Sequence, residues 1–182
     1  EVPSVTTSLV YTGEAQAPVW KNLNTTQLTK TETAQTNAGD YSSSFAPTAN
    51  FQWPDGTTAA KTVAWSIAKA TLTVPTQSGT LTYNGSAQSP TLSNYDANKM
   101  TLGGDTSGTT AKGYAATVTP KANYQWPDGS TSAKSVPWII GKAANTLTIS
   151  PATIKINAPG ETAVISVTRA GDGVVSATSN KT

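Results

Sequence analysis

Apolar and polar positions alternate along most of the chain, a pattern typical of β-strands that bury one face. The side chains of Val63, Trp65 and Ile67, for example, share one face of a predicted strand. No segment shows a competing helical period. Strands of this kind are predicted at residues 8–11, 41–46, 62–67, 80–83 and 114–119. Short strands with turn residues about every dozen positions predict an all-β protein of the sandwich class.

One segment of about twenty residues occurs twice, at residues 51–70 and again 73 positions later at residues 124–143. Both copies begin with aromatic-Gln-Trp-Pro-Asp-Gly and continue with Lys-x-Val-x-Trp-x-Ile. The residues ahead of each copy also match, at an offset of 72, so one residue was gained in a loop. Self-similarity at a fixed period indicates a repeat architecture. We therefore predict two β units, at residues 1–70 and 71–143.

Each repeated segment is predicted to form a β-hairpin that closes the core of its unit. Pro54-Asp55-Gly56 has the composition of a turn, because Pro presets φ at one position and Gly supplies positive φ at another. The flanking segments, residues 51–53 and 62–67, are the two predicted strands. Large apolar side chains hold same-parity positions in them and should face the core: Phe51, Trp53, Trp65 and Ile67, with Tyr124, Trp126, Trp138 and Ile140 in the second unit.

The tryptophans are the one group of side chains with two interpretations. An exposed tryptophan can serve as a flat platform for a sugar, whereas a buried one stabilises a thin core by a few kcal/mol. The parity of Trp53, Trp65, Trp126 and Trp138 favours the core. Trp20, which stands where the second unit has Leu92, is the tryptophan that we expect to be partly exposed.

The two units are predicted to follow one another with almost no linker. The junction at Lys69-Ala70 contains no Gly/Ser-rich or Pro-rich spacer, so hinge freedom should be limited. After residue 143 the sequence changes, and residues 146–151, 154–156 and 163–168 predict strands of a third, different β unit at residues 144–182. It has about half the length of its neighbours. We expect either a truncated domain or a domain whose fold is completed by contacts with another element.

Composition and charge argue against several functional classes. The net charge is +2 and the 12 basic residues are scattered. The chain therefore lacks the basic patch with which proteins usually bind nucleic acids or anionic membranes. The chain has no Cys and no His, which removes disulfides, thiolate chemistry and the commonest general base. Asp55 and Asp128 lie in turns, where Asp accepts backbone N–H groups, and no Asp-x-Asp calcium pattern occurs. We predict a non-catalytic protein with no cofactor or metal, and no segment of this sequence has the pattern of a signal peptide or a membrane span.

Several motifs resemble the bacterial Ig-like repeats of large surface proteins. They are Tyr-x-Gly-x-x-Gln-x-Pro from Tyr11 and from Tyr83, the mid-unit Gly113-Tyr114, and aromatic-x-Trp-x-Asp-Gly followed by Lys-x-Val-x-Trp-x-Ile. The first unit departs from the pattern by an Asp40 inserted between Gly39 and Tyr41. Residues 147–162 are similar to the opening half of a group 2 bacterial Ig-like domain. The resemblance implies tandem immunoglobulin-like β-sandwiches arranged end to end, and it carries no catalytic residue.

The resemblance further implies a structural spacer or adhesion-type segment of a larger bacterial cell-surface or secreted protein, hence an extracellular location. Two alternatives remain open: a carbohydrate-binding accessory module of a glycan-active enzyme or adhesin, and Ig-like display domains of a phage particle. The expected partners are cell-surface or host glycans or proteins, with no nucleic acid and no direct membrane insertion, and the expected state is a monomer. The sequence nominates no ligand-binding residue.

Overall fold

The computed structural model of the protein describes residues 1–150, 159–160, 162 and 164–170. Within these residues the chain forms β-strands and no helix, which confirms the all-β prediction. The strands fall into several small sheets, an arrangement compatible with the predicted sandwich class.

The first repeat contributes six strands, β1 to β6. They are β1 (Ser4–Val5), β2 (Leu9–Val10), β3 (Trp20–Lys21), β4 (Leu28–Thr31), β5 (Gly39–Pro47) and β6 (Lys61–Ala68). Four of them form one sheet in the order β2-β6-β5-β4, and β1 pairs with β3 in a second sheet. The pairing of β2 with β6 is parallel, and the others are antiparallel.

The second repeat contributes eight strands and reproduces this topology. They are β7 (Ala70–Thr71), β8 (Thr76–Ser78), β9 (Leu81–Thr82), β10 (Thr91–Ser93), β11 (Met100–Gly104), β12 (Gly113–Pro120), β13 (Tyr124–Gln125) and β14 (Lys134–Gly141). The four-stranded sheet has the order β9-β14-β12-β11, and β8 pairs with β10. An additional parallel pair, β7 with β13, has no counterpart among the described residues of the first repeat.

The alternation of apolar residues places one face of each long strand in a core. In β6, Trp65 and Ile67 are buried while their neighbours are exposed, as the period-two pattern predicted. In β14 the corresponding inward side chains are Trp138 and Ile140, together with Val136. In the first repeat the two sheets meet where the ring of Trp20 packs edge-on against Phe45, with centroids 4.7 Å apart.

The hairpin predicted within each repeated segment is wrong. Residues 51–53 do not pair with β6, because β6 pairs with β5, with Trp65 opposite Tyr41. The equivalent strand β13 in the second repeat pairs with β7, not with β14. Hydrophobic periodicity identifies a strand and its buried face, but it does not specify the neighbouring strand.

The turn after residue 53 explains why no hairpin forms there. The Trp53 N–H donates to the Thr57 carbonyl at 2.8 Å, and the Gly56 N–H donates to the Trp53 carbonyl at 2.9 Å. The indole N–H of Trp53 then binds the Ala59 carbonyl at 2.8 Å, so the loop folds onto the tryptophan. Phe51 precedes this loop outside any strand and is 43% exposed, which corrects its predicted core position.

Beyond the second repeat, β15 (Thr146–Ser150) pairs antiparallel with β16 (Ser166–Ala170). The strand predicted at residues 146–151 is therefore confirmed within its described part. The strand predicted at residues 154–156 lies outside the described residues. Most of the other residues that would show whether the third unit forms a closed domain also lie outside them.

Candidate functional site

The acidic residues of the Pro-Asp-Gly turns bind groups close to them in the chain. Asp55 Oδ1 accepts the Thr57 N–H at 3.0 Å and the Thr57 hydroxyl at 2.6 Å, while Oδ2 pairs with Lys61 Nζ at 2.7 Å. The hydrogen bond from Lys61, followed by those from Thr57, holds the pKa of Asp55 well below its usual range. Asp128 repeats this geometry with Ser130 and Lys134. Both carboxylates are thus bound by their own turn, as predicted.

A third acidic residue, Glu32, lies almost buried beside the core of the first repeat. Its carboxylate accepts hydrogen bonds from the Trp20 indole at 2.6 Å, the Ser43 hydroxyl at 2.9 Å and Lys30 Nζ at 2.7 Å. Its side chain is 5% exposed. Burial opposes ionisation, but the hydrogen bonds from Lys30, Ser43 and Trp20 outweigh it and lower the pKa of Glu32. These three hydrogen bonds connect Glu32 to residues of β3, β4 and β5.

Sequence reasoning missed the cluster of Glu32 with Ser43. A signal was present, because Ser43 has the same parity in β5 as the buried Phe45, and it is itself 1% exposed. A serine at an inward position of a strand requires a hydrogen-bond partner nearby. The identity of that partner could not be read from the sequence.

Among the described residues, no group of three or more Asp and Glu side chains is arranged to hold a metal ion. No helix that could span a membrane occurs in the described ranges.

The tryptophans do not form an exposed platform. Trp53, Trp65, Trp126 and Trp138 are each 6% exposed or less, which confirms their predicted core positions. Trp20 is half-buried, also as predicted.

One shallow groove of about 600 Å³ lies on the second repeat above Trp138. The Tyr114 ring stacks on Trp138 at 4.3 Å and 16°, so it covers the indole face that a sugar would need. The side-chain amide of Gln77 in the groove is already occupied, because it binds both the N–H and the carbonyl of Ile139. The groove therefore offers a glycan neither an open tryptophan face nor a free Gln77 amide, and its one charged lining residue is Asp105.

The two repeats contact each other on either side of Lys69. Strand β6 ends at Ala68 and β7 begins at Ala70, so Lys69 alone separates the last strand of one repeat from the next strand. The Ala68 carbonyl accepts the Tyr11 N–H at 2.9 Å, and the Ala70 N–H donates to the Asn123 carbonyl at 3.0 Å. The backbone is thus bound to the first repeat before Lys69 and to the second repeat after it.

Side chains from the two repeats also contact each other directly. Asn123 Oδ1 accepts the Ala38 N–H at 3.0 Å, and its Nδ2 donates to Asn37 Oδ1 at 2.9 Å. The Tyr11 and Tyr124 rings pack edge-to-face, with centroids 5.3 Å apart and planes at 83°. Burial and, to a smaller extent, the adjacent Tyr11 raise the pKa of Tyr124. We call Tyr11, Asn37, Ala38, Asn123 and Tyr124 the joint.

The short linker was predictable from the sequence, but the joint was not. Asn37 and Asn123 lie 86 positions apart in the chain, and no local pattern marks them as partners. Comparisons with protein-family models, with curated proteins and with solved structures found no match. The joint combines hydrogen bonds and an aromatic pair across a one-residue linker.

Proposed function

We propose that the chain is a non-catalytic spacer, in which tandem Ig-like sandwiches are held end to end in a larger bacterial cell-surface or secreted protein. The joint carries this proposal. Asn123 is bound on its backbone by Ala70 and on its side chain by Asn37 and Ala38. A hinge motion at Lys69 would have to break these hydrogen bonds and separate the two tyrosine rings. A spacer requires this resistance to bending.

The sheet order supports an immunoglobulin-like assignment of each repeat. In this assignment the three neighbouring strands β4, β5 and β6 take the positions of the C, F and G strands of an Ig domain. The first strand segment, β1, pairs in one sheet, while β2, a few residues later, joins the other sheet beside β6. The second repeat divides its early strands in the same way between β10 and β14.

A tyrosine at the start of the mid-unit strand supports the same assignment. The Tyr41 hydroxyl donates to the Asn37 carbonyl at 2.8 Å, four residues upstream. The Tyr114 hydroxyl donates to the Thr110 carbonyl at the same distance. This is the geometry of the tyrosine corner of Ig sandwiches. Because Asn37 belongs to the joint as well, the corner of the first repeat also holds a residue that contacts the second.

The extracellular bacterial location rests on the motif resemblance. In this setting the array would project a neighbouring domain, or contribute weak adhesion to cell-surface or host glycans or proteins. The buried tryptophans and the occupied side-chain amide of Gln77 favour projection over glycan binding.

Residual dipolar couplings of the full chain test the proposal. Amides of β5 and β6 and those of β12 and β14 are expected to fit one common alignment tensor, because the joint fixes the two repeats relative to each other. In an Asn123→Ala/Tyr124→Ala variant the two sets should require separate tensors. Separate tensors in the unmodified chain would overturn the spacer proposal.

A further inference from the structure

Strand β11 forms an uncovered edge of the four-stranded sheet in the second repeat. It is the last strand in the order β9-β14-β12-β11, and among the described residues only β12 pairs with it. The Lys99 carbonyl and the Asp105 N–H both bind the β12 side of the sheet. The alternation of backbone groups then directs the N–H and the carbonyl of Leu102 away from β12. We call this outer side of Met100–Gly104 the free edge.

Leu102 exposes apolar surface at the middle of the free edge. Its partner in the ladder is Val118, which is buried on the same side of the sheet. Leu102 itself is 38% exposed at the outer margin of the sheet. The strand contains no charged residue and no proline, which are common devices that prevent an edge from pairing with another chain.

The same edge of the first repeat is protected. Lys30 stands 72 positions before Leu102, at the equivalent point of β4, and lysine commonly guards edge strands. Its Nζ pairs with Glu32 at 2.7 Å. Two copies paired through the centre of β4 would bring Lys30 directly opposite Lys30 of the other copy, and like charges opposite each other are destabilising. The two repeats therefore differ at the central position of this edge.

We propose that the free edge pairs antiparallel with the free edge of a second copy of this chain, which joins two four-stranded sheets into one. The pairing is centred on Leu102. The Leu102 N–H of each copy donates to the Leu102 carbonyl of the other, and the two leucine side chains lie side by side on the same face. The apolar surface that is exposed in one copy is thereby covered by the other.

The flanking charges identify a second copy as the partner. Lys99 precedes the free edge, Asp105 follows it, and both residues are exposed. In the antiparallel register centred on Leu102, Lys99 of each copy lies opposite Asp105 of the other, so two opposite-charge pairs form about a two-fold axis. The ion pair that Lys99 makes with Asp96, at 3.2 Å, is exposed and weak, so Lys99 can turn to the new partner.

The pairing is expected to be weak. The free edge has five residues, and the Met100 N–H is already bound by the Asp96 carbonyl at 3.0 Å. Stable interfaces use about 20–30 residues a side, so we expect a Kd on the order of 1 mM. The chain would then be monomeric in dilute solution, the state expected from its sequence, and would pair where copies are concentrated, as on a crowded surface. The association itself does not depend on the spacer function.

An NMR dilution series of the full chain tests the proposal. Between about 50 μM and 2 mM, the amide resonances of Leu102 and its neighbours should shift along a monomer–dimer curve, while that of Lys30 stays constant. Leu102→Lys, which copies the residue of the first repeat, should abolish the shift. Ile139→Lys is the matched control, because Ile139 is an exposed apolar residue of the same sheet, and it should leave the shift unchanged. A spectrum that does not change with concentration, or an equal shift in Leu102→Lys, would overturn the proposal.

Two charge variants test the register. Lys99→Glu makes both ends of the free edge acidic, and Asp105→Lys makes both ends basic, so neither variant should associate with itself. An equimolar mixture should associate at least as tightly as the unmodified chain, because every opposing pair again has opposite charges. The spectrum of each variant first verifies that it is folded. Folded variants that stay monomeric when mixed, at concentrations where the unmodified chain associates, would refute the antiparallel pairing.

Discussion

Trp65 and Trp138 hold equivalent positions in the two repeats but differ in one hydrogen bond. The Trp138 indole N–H donates to the Asp105 carbonyl at 2.7 Å. The Trp65 indole N–H is buried and has no partner among the described residues. Leaving a buried polar group unpaired costs about 1–3 kcal/mol. The two indoles therefore contribute differently to stability despite similar burial.

Replacement of each tryptophan by phenylalanine should show this difference. Trp138→Phe removes a hydrogen bond and leaves the Asp105 carbonyl unpaired, whereas Trp65→Phe removes an N–H that had no partner. Both variants lose similar volume, so Trp138→Phe is expected to lower the free energy of unfolding by about 1–3 kcal/mol more than Trp65→Phe. Urea denaturation of the two variants measures the difference. Equal losses would contradict the assignment of that hydrogen bond.

The turn carboxylates Asp55 and Asp128 should cause part of the loss of stability that the fold undergoes in acid. Their pKa values in the folded protein lie below the ordinary value of 3.8, because Lys61 and Lys134 respectively bind the ionised forms. A lowered folded pKa adds stability that is full above the unfolded pKa and is lost as pH falls through the folded one. The contribution should therefore be present at neutral pH and disappear in acid.

Asp55→Asn combined with Asp128→Asn tests this pH dependence. The double variant should melt at a lower temperature than the unmodified protein at neutral pH, and the gap should close as the pH falls toward about 2. Thermal melts across this range measure the gap, with Glu14→Gln as a control at an exposed carboxylate that forms no ion pair within the described residues. A gap that persists unchanged into acid would refute the electrostatic cause.

At this scale the sequence was informative wherever local chemistry decides the outcome. The Pro-Asp-Gly turns and the buried tryptophans follow from turn preferences and strand parity. Phe51 was misplaced because the parity rule applies only within a strand, and Phe51 lies outside one. Two partners of Glu32, Trp20 and Ser43, come from other strands of the chain, which no local pattern connects to it.

The strand elements of the two repeats differ in how tightly a tyrosine packs on the central tryptophan. Tyr114 of β12 stacks on Trp138 with planes at 16°, whereas Tyr41 of β5 is tilted by 38° against Trp65. Gly108 explains the closer stack, because a Cβ at this position would overlap the Tyr114 ring.

Gly108→Ala is therefore expected to push Tyr114 off Trp138. Overpacking of this kind typically costs about 1–3 kcal/mol. Chemical denaturation of the full chain measures the loss, and near-ultraviolet circular dichroism reports the change in the aromatic stack. Gly113→Ala is the matched control, because a Cβ there meets no atom within 4 Å. Equal effects of the two substitutions would show that the stack does not depend on Gly108.

Strand positions were largely predictable, while strand partners were not. The predicted strands at residues 41–46 and 114–119 lie within β5 and β12, because alternation over six residues specifies a strand. The hairpin of residues 51–67 was wrong, since β6 pairs with β5, the strand before it in the chain, and with the more distant β2. The choice of partner depends on packing that period and turn residues do not encode.

For the whole molecule, the repeat and the one-residue linker predict how the chain is connected, and the joint determines how freely it can bend. The sequence indicated the first two features by simple self-similarity. It could not indicate that Asn123 meets Asn37, because neither residue belongs to a repeated motif with a known partner. The proposed stiffness of the spacer therefore depends on contacts that only the structure revealed.

The distribution of distances between the two repeats tests whether the joint holds them rigidly. The chain has no cysteine, so Thr29→Cys and Thr101→Cys allow spin labels at exposed, equivalent positions on β4 and β11. Pulsed electron–electron double resonance should give one narrow distribution. Asn123→Ala with Tyr124→Ala should broaden it, while Tyr83→Ala, at an exposed tyrosine outside the joint, should not. A broad distribution in the labelled protein before any joint residue is replaced would contradict the account.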